Sequence, residues 1–367
     1  MATIRAVAEA AGVSKTTVSF VMNNTRPQVD RIPLATRERI KACAAALGYY
    51  SNPIAASLRT GKRVWIGVMT EVLPNNPGTW AWAPFFEVSL LHGVQRKLAE
   101  NGYFTLLALR DAESEVQDMD LLASAQIGGL ILRAADARAV EKAGELLASG
   151  VPVVNIFPRR PTDLFPNIVD LDNVEAGRLA GELVARCGSR NPAFVTQRDD
   201  RHALLDRQHG LVETIRAEIG VDPGGCELPL KPNSPIVDNA KAFRLLNDFV
   251  STHRPDALVA LDGGTSSVLT AALDYIDVDV PGDISVIGFD SLTCGNTKYR
   301  NLSSVSVSWL RAGEVAAQIV VNRVENVEVG SLPRMLPPVF VPGDSTPPDL
   351  SHESAVANIT AFVMPEA

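Results

Sequence analysis

Between residues 3 and 24 the apolar positions include Ile4, Val7, Ala8 and Ala11, then, beyond Gly12, Val13, Val18, Val21 and Met22. Steps of three and four on both sides of a glycine predict two short amphipathic helices joined by a tight turn. Thr3 and Ser14 stand just ahead of the two runs, where a hydroxyl can accept a free backbone N–H, and are the predicted N-caps. Small Ala8 and Ala11 let the two helices cross closely, which is helix-turn-helix geometry. A third run over 35–47 aligns Ile40, Ala44 and Leu47 on one face and predicts a three-helix core.

Beyond residue 63 the pattern changes. Short apolar runs (VWIGVM, FTLLAL, GLILRA, VPVVNIF) alternate with helical stretches (VSLLHGVQRKLAENG, DLLASAQIG, VEKAGELLASG). Strand-helix-strand repetition implies a parallel sheet. The pattern restarts at NIVDLD and continues through PAFVTQ, HGLVETIRAEIG, DALVALD and DISVIGF. The expected fold is therefore an all-α helix-turn-helix head followed by an α/β core of two doubly wound parallel-sheet subdomains. Ligands of such sheets bind at the carboxyl ends of the strands. The expected boundaries are a head over 1–50, a hinge helix and linker over 51–63, a core over 64–348 and a tail over 349–367. The expected chain crossings between subdomains lie near 158–165 and 289–310. In the hinge, Asn52 can cap, Pro53 suits a first helical position, and 54–58 make about one and a half turns, marginal in water alone. Such a segment is either a linker or a helix that forms only against a partner. The tail has no leucine heptad, which argues against a carboxyl-terminal coiled coil.

Composition adds little, but charge adds a good deal. With 367 residues, 46% apolar and 21% charged, the chain has room for two or three cores. Ten basic against three acidic residues up to Arg63 give that part a charge of +7. The whole chain carries −8, so the rest carries −15. A basic head on an acidic body points to a polyanion as partner of the head. No apolar run is long enough for a membrane helix, and Arg5, Glu9 and Lys15 stand where a secretory signal would be apolar. Localisation in the cytoplasm, on the nucleoid, is expected. Cys43, Cys187, Cys226 and Cys294 lack paired spacing, so neither disulfides nor a zinc site is expected. GxSxG, GxxxxGK[ST] and HExxH are absent, and the five histidines show no ligand spacing. His202 and His209 read as surface or pocket polar groups. No catalytic activity, cofactor or metal is expected.

TIRAVAEAAGVSKTTVSFVMNN followed by TRERIKACAAALGYYSNPIAASLRTG resembles the head and hinge of the lac-repressor family. The likeness continues, in that family's order, through PFFEVSLLHGVQRKLAENGY, VDLDNVEAGRLAGELV, RPDALVALD, VPGDISVIGFDSL and LPPVFVPGDST, over roughly 3–348. It implies a core resembling the periplasmic sugar-binding fold. It also implies that the second helix enters the major groove with Lys15 and Thr16 at the base edges, chemistry that suits guanine acceptors and a thymine methyl. A phosphate contact is the alternative for each. Phe20 departs from the arginine usual there and can offer the DNA only apolar contact, while Thr3 and Ser14 are also expected among the DNA-binding residues. Thr17, Asn23 and Asn24 suit phosphates. Asn52, Ser57 and Leu58 belong to a hinge helix that would pair with its counterpart in the minor groove, Leu58 wedging between base steps.

The same resemblance places ligand-facing residues in the cleft. Phe85 and Phe86 match an aromatic pair after the first strand. Arg207 matches an arginine that grips the effector, or else forms an interdomain salt bridge. Asp290 matches a carboxylate that binds effector hydroxyls or amines. Asp262 follows a strand where an aspartate is common, with a turn or capping role equally open. Phe157 replaces an aspartate of sugar-responsive relatives. Trp80 and Trp82 lie in a long 71–84 loop, where they could stack on a pyranose or pack elsewhere. Arg133 could add charge for an acidic sugar or phosphate, or lie on the surface. The reading implied is a homodimeric repressor of carbohydrate-utilisation genes on double-stranded operator DNA, controlled by a small sugar-like effector. A purine or phosphorylated co-repressor is the alternative, and a transporter's solute-binding protein is the rival class.

Overall fold

In the computed structural model, the described residues are 2–22, 28–49, 63–71, 83–110, 115–133, 137–160, 163–198, 201–230, 240–290, 301–329, 332 and 334–350. The chain divides into two compact units that meet at Val64 and Trp65.

The first unit is helical. Helix α1 (Ile4–Ala11) is capped by Thr3, whose side chain accepts from the Ala6 N–H at 3.3 Å. It ends at Gly12, whose φ of 62° is a left-handed conformation that glycine adopts without a Cβ clash. Helix α2 (Lys15–Met22) follows after two residues, with the Thr17 N–H donating to Ser14 Oγ at 3.1 Å. A single 3₁₀ turn, Val29–Arg31, leads to α3 (Leu34–Ala46). Val7, Ala8, Ala11, Val18, Val21, Val29, Ile40 and Ala44 form the core of this unit. Leu47 is not part of it and is 41% exposed. The helix ends one residue earlier, Gly48 turns the chain at φ 61°, and Tyr49 packs on the core in its place.

The second unit holds two six-stranded sheets. In chain order the first comprises β1 (Trp65–Glu71), β2 (Phe104–Arg110), β3 (Gly129–Arg133), β4 (Val153–Ile156), β5 (Ile168–Leu171) and β11 (Met335–Leu336). The second comprises β6 (Pro192–Gln197), β7 (Gly224–Leu228), β8 (Ala257–Ala260), β9 (Ser285–Phe289), β10 (Ser304–Ser306) and β12 (Val339–Val341). Their orders are β11-β5-β4-β3-β1-β2 and β12-β10-β9-β8-β6-β7. The two sheets are thus wound alike, β1 corresponding to β6, β4 to β9 and β5 to β10. Among the described residues all pairings are parallel except that of β10 with β12. β4, β8 and β9 are buried throughout, as strands covered on both faces must be, and they read as nearly continuous apolar runs, interrupted only by Asn155 in β4 and opened by Ser285 in β9.

The first crossing differs from the expected one. Ile168–Leu171 does not open the second subdomain but pairs in parallel with β4, Asn155 opposite Ile168. The chain leaves the first sheet only at Asp172. The second sheet is then joined by α7 (Asn173–Arg186), which packs on α8 (His202–Glu218). The chain returns between β10 and α11 (Trp309–Val324), which covers β3, β4 and β5 and packs on α4 (Ala83–Glu100). A third passage, between β11 and β12, was not expected from the sequence.

Two helix pairs carry these crossings, and both rely on glycine. A Cβ on Gly177 would overlap the Arg207 carbonyl, and one on Gly210 the Val174 carbonyl, so α7 and α8 touch backbone to backbone. Gly93 and Gly313 do the same for α4 and α11. Helices α5 (Glu115–Ser124) and α6 (Ala137–Ala148) flank the first sheet, and α9 (Ala240–His253) and α10 (Gly263–Tyr275) flank the second.

Candidate functional site

In the head, Lys15 and Thr16 are exposed on the first turn of α2, and Phe20 is half-buried. The Thr17 hydroxyl is 2.8 Å from Ser14 Oγ. Thr3 and Ser14 act as caps here. Asn23, Asn24, Asn52, Ser57 and Leu58 lie outside the described residues.

At the carboxyl ends of the first sheet, Phe86 is buried and stacks on Trp309 with ring centroids 4.8 Å apart. Phe157, just after β4, tilts against the same indole at 4.7 Å. Arg133, at the end of β3, does not reach the surface: its side chain is only 12% exposed. The reason is an ion pair with Glu87 of α4 at 2.8 Å, while Glu87 also accepts from the buried hydroxyl of Thr70. The guanidinium lies 5.3 Å from the Trp309 ring centroid and 5.7 Å from that of Phe157, within cation–π reach. Arg133 Nε and Trp309 Nε1 are buried donors with no hydrogen-bond partner among the described residues. Trp82 and the side chain of Phe85 lie outside the described residues, as does Trp80.

At the carboxyl ends of the second sheet, Arg207 of α8 is 7% exposed. Its Nη1 donates to the Leu261 carbonyl at 3.0 Å and to Asp290 Oδ2 at 3.1 Å, and its Nε donates to Asn173 Oδ1 at 2.9 Å. The guanidinium also lies 4.7 Å from the Phe289 ring centroid. Asp290 Oδ1 is buried with no partner among the described residues. Asp262 caps α10 through a reciprocal pair with Thr265 and is ion-paired with Arg201 at 2.7 Å, with Gln197 as a further donor. Burial opposes its ionisation, but Arg201 and the Thr265 N–H outweigh burial and hold the carboxyl below its usual range. Phe157 and Asp290 share one more property. Both have left-handed φ, 48° and 52°, at the corresponding positions after β4 and β9. That conformation costs a non-glycine residue on the order of 1–3 kcal/mol and tends to persist at ligand sites.

Trp309, Glu87, Asn173, Gln197 and Arg201 were not singled out from the sequence. The amphipathic run after Ser308, a ready N-cap, is the signal that leads to Trp309. The others show only through their partners, which are remote in sequence.

Residues 3–52 match the bacterial regulatory proteins of the lacI family, and residues 180–346 match the periplasmic binding protein-like domain. The chain thus carries a lacI-family head together with a periplasmic binding protein-like domain. It is a DNA-binding regulatory protein. A relative of this chain, the HTH-type transcriptional repressor PurR of Aliivibrio fischeri, is 26% identical over 89% of this chain and 93% of its own. In fold, it resembles the lac repressor dimer bound to operator and the anti-inducer ONPF. That likeness has a TM-score of 0.68 at 19% identity and covers 94% of this chain and 99% of that one. It also resembles the transcriptional regulator CelR in its cellobiose complex, with a TM-score of 0.62 at 24% identity, covering 94% of this chain and 100% of that one.

Proposed function

We propose that the chain is a transcriptional repressor acting as a homodimer on a pseudo-palindromic operator, and that a small, neutral, polyhydroxylated ligand in the core's cleft controls it. The observation that carries this reading is the buried Arg207–Asp290 pair, one of whose carboxylate oxygens has no partner among the described residues. A ligand hydroxyl can donate to Asp290 Oδ1, a buried acceptor that no described residue fills. The Phe86, Phe157 and Trp309 rings form an aromatic cluster, and aromatic faces suit the apolar face of a sugar ring. Charge supports neutrality. Arg133, Arg201 and Arg207 each face a carboxylate, Glu87, Asp262 and Asp290, so the described cleft offers no surplus positive charge to a phosphate or sugar acid. The repressor role is supported by relatives that bear that name.

A purine base acting as co-repressor is the second reading, since stacked Phe86 and Trp309 also suit a planar heterocycle whose ring N–H could donate to Asp290. A thermal-shift screen separates the two. Neutral sugars, sugar acids, sugar phosphates and purine bases are each added to the full chain, and a ligand at ~100 times its Kd stabilises by about 2.7 kcal/mol. A shift with neutral sugars only is the expected result. Shifts confined to purines would replace the sugar with the base, and shifts confined to phosphorylated compounds would refute the charge argument. Band shifts with DNA flanking the gene, with and without the hit, test the repressor.

A further inference from the structure

His202 is the first residue of α8, which packs with α7 on the second-sheet side, yet both nitrogens of its ring face oxygens of the first-sheet side. Nε2 lies 3.0 Å from Oδ2 of Asp170 in β5, and Nδ1 lies 3.2 Å from the backbone oxygen of Arg159, beyond the end of β4. The His202 main-chain N–H donates to that same carbonyl at 3.2 Å. Asp170 is held in place because its other oxygen accepts from the Leu171 N–H at 2.8 Å. The His202 and Asp170 side chains are 17% and 9% exposed, so water competes weakly for these bonds.

A carbonyl accepts hydrogen bonds and cannot donate them, and the same holds for a carboxylate. Neutral imidazole carries one N–H and would set its second lone pair against an oxygen, whereas imidazolium satisfies both partners. We propose that protonated His202 is a latch that ties the two halves of the core together, and that loss of its proton releases them. Asp170 stands two residues before the crossing at Asp172, so the latch acts beside the pivot. Other acidic groups around it favour the charged ring. Asp163 ahead of β5, Asp172 at the start of α7 and Asp206 on α8 line, with His202 and Asp170, a depression of about 310 Å³. The cation next to it in sequence, Arg201, is occupied by Asp262.

The hydrogen bond to Asp170 raises the ring's pKa above 6.5, the Arg159 carbonyl adds to the rise, and partial burial opposes it. The latched form therefore holds the proton more tightly than the released form. Its stabilisation is complete below about pH 6.5 and fades as pH climbs through the raised pKa. None of this depends on what the cleft binds.

Pulsed EPR on the full chain tests the latch. Spin labels sit on encoded non-cysteine residues at Glu141 on α6 and Lys241 on α9, both exposed, one on each half. A narrow distance distribution is expected at about pH 6 and a broader one at about pH 8.5. His202→Gln should be broad at both. Asp170→Asn should move the wild-type transition to lower pH. Identical wild-type distributions at the two pH values would overturn the latch, as would a transition that survives in His202→Gln. Should His202→Gln fail to fold, NMR titration of the His202 ring in the wild type decides: a midpoint above 6.5 is expected, and one at or below it overturns the inference.

Discussion

Arg207 serves stability and recognition at once, which makes its replacement a poor test of either alone. It holds the Leu261 carbonyl, Asn173 and Asp290 together. Arg207→Ala leaves Asp290 a buried, unpaired carboxylate, a change that costs about 3–5 kcal/mol. For a domain of this size that should lower the core's Tm by on the order of 10 °C in calorimetry. Asp290→Asn keeps the shape and an acceptor for Arg207 but leaves that buried cation without its counter-charge, so a folded core of lowered Tm is expected, in which the stabilising ligand of the thermal-shift screen gives little or no shift. Burial pushes the Cys226 thiol up to about 11. Little thiolate is present at about pH 8, so Cys226 should resist iodoacetamide in the native chain and react once urea is added. The family resemblance, and no spacing in the chain itself, singled out Arg207, Asp290 and Asp262. It left Arg133 undecided, because its partner Glu87 belongs to a different βα unit and no spacing rule connects them.

At the scale of elements, glycine marks where helices must touch. Gly177→Ala puts a methyl against the Arg207 carbonyl and should destabilise the core by ~1–3 kcal/mol, read as a lower urea midpoint. The same change at Gly188, where a Cβ would meet nothing within 4 Å, should act only through its φ of 74°. In the head, Ile40→Ala removes a fully buried side chain at a cost of ~2–5 kcal/mol. So small a core cannot absorb that loss, and the expected outcome is a melted head and lost DNA binding while the core's own transition stays in place. Elements with continuous apolar runs or clear caps were legible from the sequence. β7, β10 and β11 were not: β7 opens on two glycines and alternates in burial, and β10 and β11 are three and two residues long. α11 was overlooked although its pattern is amphipathic. β5 was seen, yet placed in the wrong half, because local pattern identifies a strand and only pairing with β4 tells which sheet receives it.

For the whole molecule the uneven charge makes two opposite forecasts. DNA affinity should fall steeply with salt, by roughly 0.9 log units per log unit of salt for each phosphate contacted. Ligand affinity should hardly change over the same range, since the cleft's arginines are already matched by carboxylates. Fluorescence anisotropy on labelled operator and calorimetry on the screening hit provide the two slopes. Equal slopes would mean that the ligand carries charge. The head's fold and the doubly wound character of the core could be read from periodicity. The number of crossings could not, because it depends on pairings between residues far apart in the chain.

Those crossings impose a timetable on synthesis. Val315, Ala316, Ile319 and Val320 of α11 lie within the buried core, over strands that left the ribosome long before them. A nascent chain that has produced both sheets' central strands still lacks this cover for β3, β4 and β5 and the partner that closes β5. The half that begins first therefore closes only near the end of synthesis, and contacts of such long sequence separation slow its closure. During that interval its apolar strands are open to chaperones and to neighbouring nascent chains.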